Sequence, residues 1–231
     1  MVARRSTGEP LQYVLGRWGF RRLDLMVDRR VLIPRPETEQ VVSVALAELE
    51  RLVEMGVGDP VIVDLGTGSG AIALSLAAEG RRGAVLATDS SDQALAVARA
   101  NLAGLGGFAA ARVRIISGSW WSALPVTLKG RVSLAVSNPP YVTTDEMSAL
   151  PAEVREWEPG AALDGGPAGL DAISIIVRDA VQWLGRPGTL VVEMAPHQAT
   201  AVVELARAAG FSSADVKQDL AGRNRMLVAR Q

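Results

Sequence analysis

From residue 61 onward the chain alternates between short, unbroken apolar runs and longer stretches in which apolar residues recur every three or four positions. The runs Val61–Leu65, Val85–Thr88, Val113–Ile116, Val132–Val136 and Thr189–Met194 have the length and β-branched content of buried strands. Between them, Ala71–Ala78 and the face formed by Ile173, Ile176, Val177, Ala180 and Leu184 predict helices, the second closed by Gly185 and Pro187. A further helix is expected from about His197 to Ala209, with His197 at its start. Strand and helix in alternation predict an α/β fold around a mostly parallel sheet. Phe211–Val216 and Arg225–Ala229 are expected to close its edge as an antiparallel pair, making seven strands.

Upstream, Pro36 is placed as the first residue of a helix whose buried face carries Val42, Ala45, Leu46, Leu49, Leu52 and Val53, with Glu37 and Glu39 favourable in its first turn. Before it, Tyr13–Gly16 and Leu23–Val27 read as a hairpin with its turn near Gly16–Gly19. Residues 1–36 are thus expected to be a hairpin and linker, and residues 37–231 the main domain.

The 231 residues suffice for one full core. A formal charge of −1 supplies no global field for nucleic acid. With no cysteine and a single histidine, neither a disulfide nor a metal centre is expected. No signal-peptide pattern or membrane-length apolar run is present, so a soluble, cytoplasmic monomer with no membrane partner is expected. Charge is uneven, however: eight arginines (Arg4, Arg5, Arg17, Arg21, Arg22, Arg29, Arg30, Arg35) face three acids in residues 1–36, which suggests a docking surface for an acidic partner.

Candidate chemistry gathers at the strand ends, where open α/β sheets bind their ligands. Val61–Leu65 runs into Gly66-Thr67-Gly68-Ser69-Gly70 and then a helix, an arrangement that brings backbone close to a ligand at an electropositive helix start. The spacing is tighter than in dinucleotide binders, and Asp64 stands in the strand, so a cationic ligand suits the loop better than a pyrophosphate. Asp89, 19 residues past Gly70, is placed to accept hydrogen bonds from a ribose, and Ser90–Gln93 offers a capping box for the next helix. Trp120 or Trp121 would cover a flat base. After the fourth run comes Asn138-Pro139-Pro140-Tyr141. Two prolines hold its backbone extended, leaving carbonyls free beside the Asn138 amide, with Tyr141 as a flat wall. Arg35, held between Pro34 and Pro36, and the glycine-rich loop Glu158–Asp171 are further candidates.

Taken together, Gly8–Gly16, Ile33–Glu39, Asp64–Gly70, Asn138–Tyr141, Glu158–Asp171 and Asp219–Arg223 resemble the HemK/PrmC family of protein-(glutamine-N5) methyltransferases over almost the whole length. The resemblance implies a Rossmann-like class I methyltransferase that uses S-adenosylmethionine and methylates the glutamine of the Gly-Gly-Gln loop of peptide chain release factors. It places Asp64, Gly66 and Gly68 around the donor's methionine end and Asp89 at the ribose, with Thr67, Gly70, Trp120 and Asn138 also binding the donor. Asn138, Pro139, Pro140 and Tyr141 would take the substrate amide beside the donor methyl, with Arg35 and Glu37 on the substrate side. Asn138, Pro139 and Tyr141 would carry catalysis without a metal. The family's N-terminal helical bundle is expected to be absent, and Ser119 stands where an acid is common. Other readings are a nucleic-acid adenine methyltransferase, glutamine methylation of a ribosomal protein, and a donor-binding protein without transfer activity. A nicotinamide dehydrogenase fits the glycine spacing least.

Overall fold

The computed structural model describes residues 1–231. In chain order the elements are α1 (Val2–Arg5), α2 (Leu11–Leu15), β1 (Arg17–Phe20), β2 (Leu23–Met26), α3 (Pro36–Glu54), β3 (Val61–Leu65), α4 (Ala71–Glu79), β4 (Ala84–Asp89) and α5 (Asp92–Leu105). They continue with α6 (Gly107–Ala111), β5 (Val113–Ser117), β6 (Val132–Ser137), α7 (Ala152–Trp157), α8 (Asp171–Trp183), β7 (Leu184–Glu193), α9 (Ala199–Ala209), β8 (Ser213–Gln218) and β9 (Asn224–Arg230). The main sheet has seven strands in the order β5-β4-β3-β6-β7-β9-β8. Its first five strands are parallel, and β9 is wedged antiparallel between β7 and β8.

Both faces of the sheet are covered, which is why its strands read as continuous apolar runs. On β3, Ile62 faces the layer of α3 and α4 beside Val42, Leu49, Leu52 and Leu76. Its neighbours Val63 and Leu65 face α8 and α9 beside Ile173, Ile176 and Val202. Strand order reverses between β3 and β6, so the crevice of this α/β sheet opens where those two strands end. Register places Leu65 opposite Ser137, and the Ser137 hydroxyl donates to the Leu65 carbonyl at 2.6 Å. The glycine turn after β3 and the Asn138 segment after β6 therefore leave the sheet side by side.

Several local expectations are corrected. Tyr13–Leu15 belongs to α2, which Gly16 ends at a φ of +73°, the left-handed value that glycine adopts without strain. The hairpin instead pairs β1 with β2, and its two-residue turn is Arg21-Arg22. Gly185 and Pro187 do not close α8. They lie within β7, where Val132 pairs with Leu184 and Leu134 with Thr189, so the four residues between bulge out of the ladder. Ser91 caps α5 by accepting the Ala94 N–H at 3.2 Å, but the third helical residue is Ala94 itself, so the reciprocal half of a capping box has no side chain to make it. His197 lies in a short 3-10 turn ahead of α9. The Glu158–Asp171 stretch follows α7 and is pinned to the segment after Tyr141, where Val142 exchanges hydrogen bonds with Leu163 and Gly165.

The N-terminal residues pack on the main domain: Tyr13, Val27, Val31 and Ile33 form a cluster with Ala94 and Val97 of α5. One α5 side chain fixes the hairpin. The Asn101 amide accepts from the Met26 N–H at 2.7 Å and donates to the carbonyls of Met26 and Ser69 at 3.0 and 2.8 Å. Asn101→Ala strands those three backbone groups, of which the Ser69 carbonyl is buried, and we expect a loss of about 1–3 kcal/mol in denaturant unfolding. Amide exchange at Met26 should accelerate together with that loss.

Candidate active site

Asp64 is wholly buried at the end of β3. Its Oδ2 accepts the Thr67 hydroxyl at 2.6 Å and the Ala73 N–H at 3.0 Å, whereas Oδ1 has no partner. Burial outweighs those two bonds and, with a smaller push from Asp89, lifts the Asp64 carboxyl to about 7. The turn that follows is held by the Thr88 carbonyl, which accepts the N–H groups of Gly66 and Thr67 at 2.9 and 2.8 Å. Asp89, ending β4, accepts the Gly68 N–H on one oxygen and the Ser91 N–H on the other, both at 2.9 Å. It thus braces the glycine loop and the start of α5 while still bordering the cavity. At Gly66, with φ +75°, an added Cβ would stand 3.0 Å from the Trp120 ring, so glycine there lets Trp120 lie against the turn. Trp121 does not cover a ligand: it is buried, its ring stacked with Trp183 at 6.0 Å, its Nε1 donating to the Ile176 carbonyl at 2.9 Å.

A cavity of about 230 Å³ lies over this loop, bordered by Gly66, Thr67, Gly68, Asp89, Trp120, Asn138 and Pro140. Asp64 lies behind the loop and Gly70 caps α4; neither borders the space. A side pocket of about 50 Å³ adjoins it, lined by Leu32, Arg35, Asn138, Pro139, Tyr141, Val142, Ala162 and Leu163. Asn138 borders both, so it lies where the large and the small compartment meet.

The Asn138 carboxamide is held from behind. Its Nδ2 donates to the Thr38 hydroxyl at 3.1 Å, and that hydroxyl donates to Glu193 Oε2 at 2.7 Å. The other Glu193 oxygen accepts the Tyr141 hydroxyl at 3.1 Å. Asn138 Oδ1 and the Pro139 carbonyl accept no hydrogen bond from the chain. Gln198 secures the backbone beyond them, its amide donating to the carbonyls of Tyr141 and Gly169 at 3.0 Å. Burial raises the Glu193 carboxyl to about 6 against the opposing bonds from Thr38 and Tyr141, and it pushes the Tyr141 phenol up. Thr38, Glu193 and Gln198 were not legible as site residues. The one available signal was common to Glu193, Asp64 and Asp89: an acid at the carboxyl end of an apolar strand.

Arg35 reaches the side pocket and is engaged there, its Nη2 2.6 Å from Glu158. Burial, partly offset by Arg35, leaves the Glu158 carboxyl above its usual range. Glu37 lines neither space; it pairs with Arg223 at 3.1 Å, and Arg223 in turn braces Asp219. The arginine-rich N-terminus is not an open cationic face. Arg4, Arg5, Arg17, Arg21, Arg22 and Arg30 pair with Glu9, Glu153, Asp24, Glu79 and Asp28, and Arg29 lies 4.8 Å over the Trp157 ring. No helix is long and apolar enough to cross a membrane.

Residues 48–153 match the family model of the methyltransferase small domain. The release factor glutamine methyltransferase of Moorella thermoacetica is 45% identical over 234 residues, covering 99% of this chain and 77% of its own. That of Cereibacter sphaeroides is 42% identical over 232 residues, with the same coverage of 99% and 77%. Among solved structures, the N-terminal domain of human METTL16 in complex with SAH superposes with a TM-score of 0.63 at 16% identity, over 90% of this chain and 75% of that one. At that identity the likeness shows a shared fold.

The raised Asp64 carboxyl has a measurable consequence in the ligand-free protein. Its folded value, about 7, lies above the ordinary carboxylate value of roughly 4, so the folded state holds this proton more tightly. The stabilisation is full below the ordinary value and is lost as pH rises through the folded one. Thermal midpoints of the wild type should therefore fall more steeply than those of Asp64→Asn as pH is raised through about 7. Parallel slopes would mean that Asp64 is already ionised in the folded protein.

Proposed function

The chain belongs to the family of release factor glutamine methyltransferases, and on that premise we propose that it transfers a methyl group from S-adenosylmethionine to the glutamine side-chain nitrogen of the Gly-Gly-Gln loop of a peptide chain release factor. The observation that carries this reading is the pair of unengaged acceptors, Asn138 Oδ1 and the Pro139 carbonyl, at the boundary between a large and a small compartment. Residues present also fit the donor. Gly66, Thr67 and Gly68 bring backbone to the edge of the space, Asp89 borders the part a ribose would take, and Trp120 supplies a flat wall. When bound, S-adenosylmethionine supplies a methyl on a sulfonium, already activated toward a nucleophile and leaving behind a neutral thioether.

The protein's task is then to make a poor nucleophile competent. An amide nitrogen shares its lone pair with its carbonyl, and two acceptors on its two N–H groups hold that nitrogen in one orientation. Asn138 Oδ1 and the Pro139 carbonyl take those two bonds, aim the nitrogen across the boundary, and stabilise the positive charge that grows on it as the new N–C bond forms. One of the two N–H protons then leaves to solvent, giving the neutral N-methyl amide. The geometry is that of an oxyanion hole with its polarity inverted. Tyr141 forms one wall of the small pocket, its hydroxyl tied to Glu193 and its ring against the amide plane. Orientation of this kind accounts for roughly 7–11 kcal/mol of barrier in well-aligned intramolecular reactions, so no further catalytic group is needed for most of the acceleration. Arg35, anchored on Glu158, borders the small pocket and serves the incoming loop. Glu37 holds the Arg223 loop beside the same helix start.

Incubating the enzyme with a release factor and labelled donor, followed by mass spectrometry, should place one methyl on the Gly-Gly-Gln peptide. Asn138→Ala should lower kcat by about 10²–10³-fold, as removal of one such hydrogen-bonding group does elsewhere, while donor Kd by calorimetry stays within about threefold. Label appearing instead on nucleic acid, or unchanged kcat with weakened donor binding, would overturn the reading.

A further inference from the structure

We propose that Glu193 and Thr38 act as positioning residues that set which end of the Asn138 carboxamide faces the substrate. The inference deepens the reading above and rests on it, since it concerns how Asn138 comes to present its oxygen. A carboxamide has nearly the same shape after a half-turn, but turned over it would offer an N–H₂ group to the substrate's own N–H₂. Donor would then meet donor, and the hydrogen bond that Asn138 makes to the substrate would be lost. Packing alone does not distinguish the two orientations. Something must read the difference between oxygen and nitrogen.

The chain behind Asn138 does so by proton counting. An ionised carboxylate only accepts, and a hydroxyl carries one proton. The Thr38 proton is committed to Glu193 Oε2 at 2.7 Å, so toward Asn138 the Thr38 oxygen has only lone pairs to offer. It therefore accepts from Nδ2 at 3.1 Å, which turns Oδ1 toward the pockets. The other Glu193 oxygen receives the Tyr141 hydroxyl at 3.1 Å, so one carboxylate orients both the amide acceptor and the aromatic wall. Thr38 and Glu193 are 3% and 0% exposed, which leaves no solvent route to replace this arrangement. No cation bonds Glu193. The groups that face it are Thr38 and Glu37 from α3, Tyr141 from the segment after β6, and Arg225 from β9, whose guanidinium is bonded to Asp219. A buried carboxylate without an ion-pair partner is costly to keep, and its acceptor-only character is what a neutral side chain cannot supply.

Protonated, Glu193 becomes a donor, the Thr38 hydroxyl is free to turn, and the constraint on Asn138 is released. Activity carried by the ionised form falls as pH drops through the Glu193 value of about 6. Glu193→Gln presents either an oxygen or an N–H₂ to Thr38, so its kcat should be low and flat across that window.

The test compares Thr38→Val, Thr38→Ser, Glu193→Gln and Asn138→Ala by kcat, KM for the release factor, donor Kd by calorimetry, and the side-chain amide resonances of Asn138. Thr38→Val should lose about tenfold or more in kcat, the equivalent of one hydrogen bond in the transition state, with donor Kd within about twofold of wild type. Thr38→Ser should recover most of that loss. The Asn138 N–H₂ resonances should be a single sharp pair in the wild type and shifted or doubled in Thr38→Val. If Thr38→Val keeps wild-type kcat and resonances while Asn138→Ala is inactive, the relay is overturned and the role of Asn138 stands. If Asn138→Ala is itself active, the reading beneath is overturned. Equal losses of kcat, donor affinity and thermal midpoint in Thr38→Val and Thr38→Ser would assign Thr38 a packing role and also overturn the proposal.

Discussion

The parallel pairing of β3 with β6 is the constraint from which the site follows. Leu65 and Ser137 stand opposite one another, and the Ser137 hydroxyl ties the two strand ends together. A one-residue slip of a strand exchanges its two faces and would carry the apolar set of β6 to the wrong layer. Burial of Leu134 and Val136 on one face and Ala135 on the other therefore fixes the register. With the register fixed, the glycine loop and the Asn138 segment have no freedom to drift apart. Nearly every other element serves that junction: α3 brings Thr38 to it, β7 brings Glu193, and the turn before α9 brings Gln198.

What could be read in the chain beforehand follows from which signals are local. The strands of the parallel sheet announce themselves because both of their faces are buried, and the turns after β3 and β6 because glycine, proline and asparagine have few other uses in such places. The N-terminal hairpin lies elsewhere because Tyr13 and Val14 look like strand residues, yet both are buried on a helical turn, Tyr13 in a cluster with Val27, Val31 and α5. Gly185 and Pro187 punctuate like a helix end, but pairing of β7 with β6 on either side of them overrides that local preference. Partnerships across long separations were the least visible. Thr38 and Glu193 lie 155 residues apart, and nothing in either neighbourhood names the other.

The same limit applies to charge. A count of arginines along residues 1–36 describes a basic segment, whereas the folded protein distributes those cations onto acids from α4 and α7 as well as their own segment. Such pairs add little stability where they are exposed. Their effect is chiefly on the outward field, which they neutralise, in keeping with a formal charge of −1 for the whole chain. Recognition of a partner by this face would thus depend on shape and on the few polar groups around the side pocket more than on long-range attraction.

The position of β9 bears on how a newly made chain matures. Glu193 sits opposite Met226 in the ladder, and the last strand is inserted between two that precede it in the chain. During synthesis, β7 must wait with an open edge until residues 224–230 emerge, because its antiparallel neighbour is made only after β8. Pairings between such distant segments form late and slowly. An early-terminated chain would keep its glycine loop and its Asn138 segment, yet lack the ladder that seats the carboxylate behind them. Synthesis through β9 thereby becomes a condition for a finished pocket.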